Sequence, residues 1–150
     1  MSFAPGTARL SSETIHASSV AIDGRAVLIT GLSGAGKSDL ALRLLDRGFS
    51  LVSDDQTIVK RQANRLVATP PPTIAGKLEI RGIGIVEMPH ENDVPVALLV
   101  ELTGEVQRLP DDSRERPILG IPIPLVSVDA KTASAASKVA IALDRLGLKF

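Results

Sequence analysis

Apolar positions along the chain fall in short runs, and the spacing of those runs predicts alternating strands and helices. His16 to Ile22 reads as a strand, and Asp23-Gly24 is a two-residue hairpin signal. Arg25 to Thr30 (RAVLIT) follows as a β-branched, mostly apolar strand short enough to be central and buried. A glycine-rich loop, Gly31 to Gly36, then leads into a helix expected over Lys37 to Arg47. Leu40, Ala41, Leu44 and Leu45 share one face of that helix. Asp39 and Arg43 form an i,i+4 pair on the other face, and Gly48 is a suitable stop.

Phe49 to Ser53 is a second short apolar strand, ending in Asp54-Asp55. Thr57 to Arg61 and Arg65 to Ala68 read as a hairpin around Ala63-Asn64, and Pro70 to Pro72 mark a loop. Leu78 to Met88, interrupted by Gly82 and Gly84, is expected to be one extended, bent segment. Val96 to Leu102 is a strand, residues 103–117 a charged loop with Pro110, Asp111 and Asp112, and Ile118 to Val128 an extended proline-spaced stretch. A last helix is expected over Ala133 to Leu146, with Ala136, Val139, Leu143 and Leu146 inward and Gly147 ending it. This order describes one α/β domain over residues 14–150, after a flexible N-terminus over 1–13.

Charge and composition narrow the function. Lys+Arg and Asp+Glu are both 17, so bulk attraction to nucleic acid or an anionic membrane is not expected. With no Cys, disulfides, thiolate metal sites and cysteine nucleophiles are excluded. Two histidines, His16 and His90, make no multi-histidine site, and the absence of Trp and Tyr argues against base-stacking platforms. His90 is expected to be a solvated loop residue. The opening residues have neither a basic start nor an apolar core, and no apolar run spans a bilayer. A cytoplasmic location is the expectation.

The chemistry is concentrated in Gly31-Leu32-Ser33-Gly34-Ala35-Gly36-Lys37-Ser38, which fits G-x-x-x-x-G-K-[ST]. Glycines let backbone N–H groups turn inward at phosphate oxygens, and the following helix adds its N-terminal partial charge. Lys37 is placed to reach β- and γ-phosphates, and Ser38 to give an oxygen to Mg²⁺. Asp54 and Asp55 can face the same site only if their strand ends there; one then positions Mg²⁺ and the other takes a proton from an attacking hydroxyl. In Lys77-Leu78-Glu79-Ile80-Arg81-Gly82-Ile83-Gly84, Glu79 suits a Mg²⁺ ligand, and Arg81 suits a bidentate hold on a phosphoryl group.

Taken together, these residues resemble the catalytic domain of HPr kinase/phosphorylase. GLSGAGKS resembles that family's G-x-S-G-x-G-K-S, Arg47 to Asp55 its R-G-h-x-L-V-x-D-D, and KLEIRGIGIVEM its E-I-R-G signature. The resemblance implies a P-loop α/β fold similar to the phosphoenolpyruvate carboxykinase core, a mixed sheet with flanking helices. It implies a Mg-ATP-dependent kinase that phosphorylates a serine of HPr or of a nitrogen-branch relative. It implies Ser38 and Glu79 on Mg²⁺, Asp55 as general base and, in reverse, general acid, and His16 and Arg108 as further active-site residues. A homo-oligomer, hexameric in the family, is implied as well.

Three departures stand out. His16 lies close to Met1, so the chain is expected to be the short form without the family's N-terminal domain. The stretch after Met88 is shortened. The family's V-P-V-R-P-G-R-N segment, linked to dephosphorylation, aligns with Val128 to Ala135, where Lys131 stands in place of the first arginine and the second is lost. A weakened phosphorylase activity is therefore expected. The other readings of these residues are a small-molecule kinase or NTPase, and a nucleotide-sensing module without phosphotransfer.

Overall fold

The computed structural model describes residues 11–108 and 114–150. Residues 1–10, and the Pro110, Asp111 and Asp112 part of the expected charged loop, lie outside the described residues.

The sheet is built around two apolar strands, β3 (Arg25–Thr30) and β9 (Val94–Leu102), paired in parallel from Ala26↔Val96 to Thr30↔Glu101. β2 (Ala17–Ile22) lies antiparallel to β3, and β4 (Ser50–Ser53) antiparallel to β2. The turn between β2 and β3 holds Asp23 at φ 53° and Gly24 at φ 72°, the two positive φ values a tight hairpin needs.

The other edge of β9 serves two neighbours. Its start pairs antiparallel with β6 (Arg65–Thr69), and its end parallel with β11 (Ile121–Val128). β5 (Thr57–Gln62) continues from β6 through a turn at Ala63, and β1 (Ser12–Ile15) pairs antiparallel with β5. Strand pairing thus begins two residues inside the segment expected to be flexible, and His16 sits in a bend between β1 and β2 rather than within a strand.

Alternation along the central strands makes two cores. Val27 and Ile29 of β3 face the helices α1 (Lys37–Leu45) and α2 (Ala135–Leu146), together with Leu40, Leu44, Val139 and Leu143. Leu28 faces the opposite side, with Val59, Leu66, Leu99 and Ile123 of the curled strands. Each fully buried Leu or Ile contributes about 1.5–3 kcal/mol of apolar transfer. The mixed sheet with flanking helices is the expected fold class.

Two expected segments are corrected. Leu78 to Met88 is a hairpin, β7 (Lys77–Ile80) and β8 (Gly84–Glu87), separate from the main sheet. Gly82 at φ 89° and Gly84 at φ 115° reverse the chain where a bend was expected. Ile118 to Val128 likewise folds back, with β10 (Glu115–Ile118) pairing to β11 through Leu119-Gly120, both at positive φ. Leu146, expected inward, is 52% exposed, while Leu143 one turn earlier is buried.

Candidate functional site

The loop between β3 and α1 is shaped by its glycines. Gly34 and Gly36 take φ 82° and 101°, which L side chains rarely adopt. A Cβ at Gly36 would also come 3.1 Å from that of Ala130. Gly36 caps α1 without a side-chain hydrogen bond, which leaves the helix's first amides to an outside acceptor. A helix start of this kind suits a phosphate.

Lys37 is only 8% exposed, and its Nζ donates to the carbonyls of Gly31 and Leu32 at 3.1 and 3.2 Å. A buried ammonium needs such partners. It has three donors and two are used, so the same group can serve a phosphate oxygen at the loop. Leu32 itself points to solvent at 85% exposure.

Facing the loop across the end of β4 are the two aspartates, and they differ. Asp54 is 7% exposed and accepts three hydrogen bonds. Ser38 Oγ donates to Oδ1 at 2.6 Å, Ser18 Oγ to the same oxygen at 3.1 Å, and the Glu79 backbone N–H to Oδ2 at 3.1 Å. Asp55 is exposed at φ 64°, with its backbone N–H donating to Ser18 Oγ at 3.0 Å. The strand ends at Ser53, and the left-handed turn beyond it sends the neighbouring carboxylates different ways: one into the structure, the other into the cleft.

The cleft has a volume of about 840 Å³ and is open to solvent. Small-molecule sites commonly run to about 300–1,000 Å³. Ser33, Gly34, Gly36, Lys37 and Ser38 form one wall, and Asp55 lies at the end of β4. The tip of the β7–β8 hairpin forms the other wall, with Glu79, Ile80, Arg81, Gly82, Ile83 and Gly84. Leu78, fully buried, anchors that hairpin, and the Glu79 N–H bond to Asp54 ties it to the loop.

The structure therefore brings Ser33, Gly34, Gly36, Lys37, Ser38, Asp55, Glu79 and Arg81 to one cleft. Asp54 stands behind it. Gly31, Leu32 and Ala35 complete the loop without lining the cleft; a Cβ at Gly31 would meet those of Leu102 and Ala35 at 3.1 and 3.2 Å. His16 is exposed one residue before Ala17, which pairs with Thr30 at the start of the loop, but it does not line the cleft. Arg108 is exposed and likewise outside the lining.

His90 is corrected. It is half-buried, forms a parallel bridge with Leu51, and lies against Gly76, whose added Cβ would come 2.9 Å from His90 Nδ1. It helps fasten the base of the β7–β8 hairpin.

Ser18 was missed by sequence reasoning. A serine in a strand belongs to no motif, and no spacing signal links it to two aspartates far along the chain.

The residues present fit Mg²⁺ with ATP. The oxygens of Ser38 and Glu79 suit a hard cation, and the loop amides and Lys37 suit phosphates. No group of three or more His, Cys, Asp or Glu forms a ready cage among the described residues. Mg²⁺ bound with substrate phosphates needs only one or two protein carboxylates.

On the far side of the loop, the Asp129–Thr132 turn packs by Ala130 against Gly36. Arg43 of α1 holds that turn, donating to the carbonyls of Ala130 (2.5 Å) and Thr132 (3.2 Å) while pairing with Asp39 at 3.2 Å. Lys131, the sole cation of this turn, is exposed. No helix among the described residues is long and apolar enough to cross a membrane.

Comparison with known proteins gives a consistent result. Residues 8–145 match the family model described as HPr Serine kinase C-terminal domain. The chain is 38% identical over 131 residues to the HPr kinase/phosphorylase of Latilactobacillus sakei, covering 79% of this chain and 42% of that protein. It is 35% identical over 127 residues to the HPr kinase/phosphorylase of Burkholderia lata, covering 77% and 39%. The chain thus spans about two fifths of the length of the curated relatives it matches. Among solved structures, the Hpr(Ser) kinase/phosphatase from Coxiella burnetii superposes with a TM-score of 0.76 at 34% identity, covering 89% of this chain and 88% of that one.

Proposed function

The chain belongs to the HPr Serine kinase C-terminal domain family, and on that premise we propose that it is a Mg-ATP-dependent protein-serine kinase. Its substrate is a phosphocarrier protein of the HPr type or a nitrogen-branch relative. The observation that carries this reading is the division of the aspartate pair: Asp54 is buried against Ser38, and Asp55 is left in the cleft opposite the phosphate loop.

In the forward direction Asp55 accepts the proton of the target serine hydroxyl as the hydroxyl attacks the terminal phosphorus of ATP. The phosphorus–oxygen bond to ADP breaks, and phosphoserine and ADP result. Lys37 exchanges its loop carbonyls for β- and γ-phosphate oxygens. Arg81, at the tip of the hairpin, holds the moving phosphoryl group with its planar fork. Ser38 and Glu79 would hold Mg²⁺, with Asp54 orienting the Ser38 hydroxyl. When bound, Mg²⁺ neutralises charge on the phosphates. In reverse, Asp55 returns the proton to the serine oxygen.

The dephosphorylation is the weaker reaction: inorganic phosphate attacks the phosphoserine phosphorus, the bond to the serine oxygen breaks, and serine and pyrophosphate result. Inorganic phosphate has to approach a phosphoserine, so two anionic groups meet and need cations. The Asp129–Thr132 turn offers Lys131, a point charge without the bidentate fork of arginine. Losing one charge-assisted contact costs about 1.5–3 kcal/mol.

The test is incubation with labelled ATP, Mg²⁺ and an HPr-type carrier, followed by location of the phosphorylated residue. Phosphoserine on the carrier is the expected result. Transfer to a metabolite, or nucleotide binding without turnover, overturns the reading. A paired assay with ATP forward and millimolar phosphate in reverse should show the forward rate higher. Installing arginine at Lys131 and Ser134 should raise the reverse rate more than the forward one.

A further inference from the structure

We infer that Ser18 is a positioning residue for phosphoryl transfer, whose one buried hydroxyl keeps Asp54 and Asp55 in their separate places. The inference rests on the proposed function of the cleft. Ser18 lies on β2 at 0% exposure and does not line the cleft, so it touches neither nucleotide nor protein substrate. It acts through the aspartates.

A hydroxyl has one proton and two lone pairs. The Ser18 proton goes to Asp54 Oδ1 at 3.1 Å, and a lone pair receives the Asp55 N–H at 3.0 Å. A carboxylate accepts only, so the direction of this relay is set: Asp55 N–H to Ser18, and Ser18 O–H to Asp54. Ser38 donates to the same Asp54 oxygen. Ser18 and the phosphate-loop serine therefore converge on one atom, and that convergence holds Asp54 away from the cleft.

Asp55 is the strained member. Its φ is 64°, and Gln56 N–H closes back on the Asp54 carbonyl at 2.7 Å. A two-residue hydrogen bond across a positive-φ residue is the pattern of a γ-turn, a rare and strained form. Such backbone persists only where its surroundings over-determine it. Ser18 supplies a side-chain acceptor for the Asp55 N–H. Removing that acceptor leaves a donor without its partner and lets Asp55 leave the left-handed region. The carboxylate then moves away from the place where the serine hydroxyl must be met.

The test uses Ser18→Thr, Ser18→Val and Ser18→Ala. Thr and Val have nearly the same volume, and only Thr keeps the hydroxyl, so their difference separates hydrogen bonding from packing. Ser18→Ala adds no volume and decides the matter if the larger residues fail to fold. The first readout is hydrogen exchange of the Asp55 amide by NMR, which needs no activity. Exchange should be at least about tenfold faster in Val and Ala than in wild type and Thr, as loss of one hydrogen bond implies. The second readout is kcat and KM for ATP with an HPr-type carrier. Val and Ala should lower kcat by about 10- to 100-fold, the usual cost of a misplaced group, with KM for ATP nearly unchanged. In an Asp55→Asn background, Ser18→Val should lower kcat no further.

Equal amide exchange in the hydroxyl and non-hydroxyl variants overturns the inference. So does equal kcat in active variants, or a further kcat loss in the Asp55→Asn background. A wild-type protein that transfers nothing to any carrier sinks the proposed function instead, and the amide comparison still decides whether Ser18 holds Asp55.

Discussion

Two charged clusters lie at the same end of the parallel strands, on opposite faces of the sheet, and they are built differently. On the helix side, Lys37 and Asp54 are buried and held by backbone carbonyls, hydroxyls and one amide, with no ion pair between them. On the other side, Glu101, which pairs in register with both Thr30 and Ser127, sits between Arg116 at 2.9 Å and Arg114 at 3.7 Å. Its carboxylate also accepts from Ser127 at 3.4 Å. All three charged side chains are about a third exposed or more. The first cluster keeps its charges unpaired by each other, so Lys37 has a donor to spare at the cleft while Asp54 is held behind it. The second neutralises itself. Neutral partners around a buried charge leave it free to act, whereas opposite charges at a wet surface contribute little and do nothing else.

That contrast can be broken by substitution. The largest effects are expected for Asp55→Asn and Lys37→Ala. An amide cannot take the hydroxyl proton, so serine phosphorylation should fall by about 10²- to 10⁴-fold with nucleotide binding retained. Lys37→Ala should abolish ATP turnover and weaken nucleotide binding, measured by nucleotide titration and hydrolysis. A folded Lys37→Ala protein with normal turnover would remove the phosphate-loop reading altogether.

Asp54→Asn should affect transfer less and stability more. Asp54 accepts from Ser18, Ser38 and the Glu79 amide, and an amide side chain turns one acceptor into a donor. A buried donor left without a partner costs about 1–3 kcal/mol, readable as a lowered denaturation midpoint. If Asp54→Asn proved worse for transfer than Asp55→Asn, the assignment of the base would be reversed.

Arg43→Lys is expected to have an intermediate effect. Arg43 ties α1 to the Ala130 and Thr132 carbonyls, and a lysine cannot reproduce that fork. Loss of one or two charge-assisted bonds predicts about 1–3 kcal/mol in thermal or urea unfolding. The forward kinase rate should change less than the reverse rate, because the turn it holds carries Lys131.

Glu101→Gln should do least. Activity should be unaffected, and the stability loss at neutral pH should be about 0.2–1 kcal/mol, as for exposed pairs. The hydrogen bond from Arg116, and then the charges of Arg116 and Arg114, hold the Glu101 carboxyl below its ordinary value of 4.5, against the opposing pull of burial. A carboxylate lowered on folding stabilises the protein above its unfolded value and loses that contribution as pH falls through the folded one. The gap between wild type and Glu101→Gln should therefore be present at pH 7 and narrow as pH falls below 4.5 and through the lowered folded value. A gap that widens on acidification would contradict the pairing.

What the sequence determined alone was local. The glycine-rich loop was legible because its glycines, Lys37 and Ser38 lie within eight consecutive residues, whose backbone geometry depends on the absence of side chains at Gly34 and Gly36. The Asp23-Gly24 turn, the α1 face and the Asp39–Arg43 pair were legible for the same reason: each is a contact between near neighbours in the chain. The β7–β8 reversal was not, because glycine marks a break in a strand without saying whether the chain bends or folds back. The pairing of Lys77 with Glu87, and the seating of Leu78 against the body of the domain, decided that. The unequal fates of Asp54 and Asp55 were decided by tertiary structure as well. Adjacent identical residues carry no sign of which will be buried, and Ser18, 36 positions before Asp54, carries none of what it will hold. Only the pairing of β2 with β4 brings that hydroxyl under the turn, where one carboxylate can be saturated and the other left to the cleft.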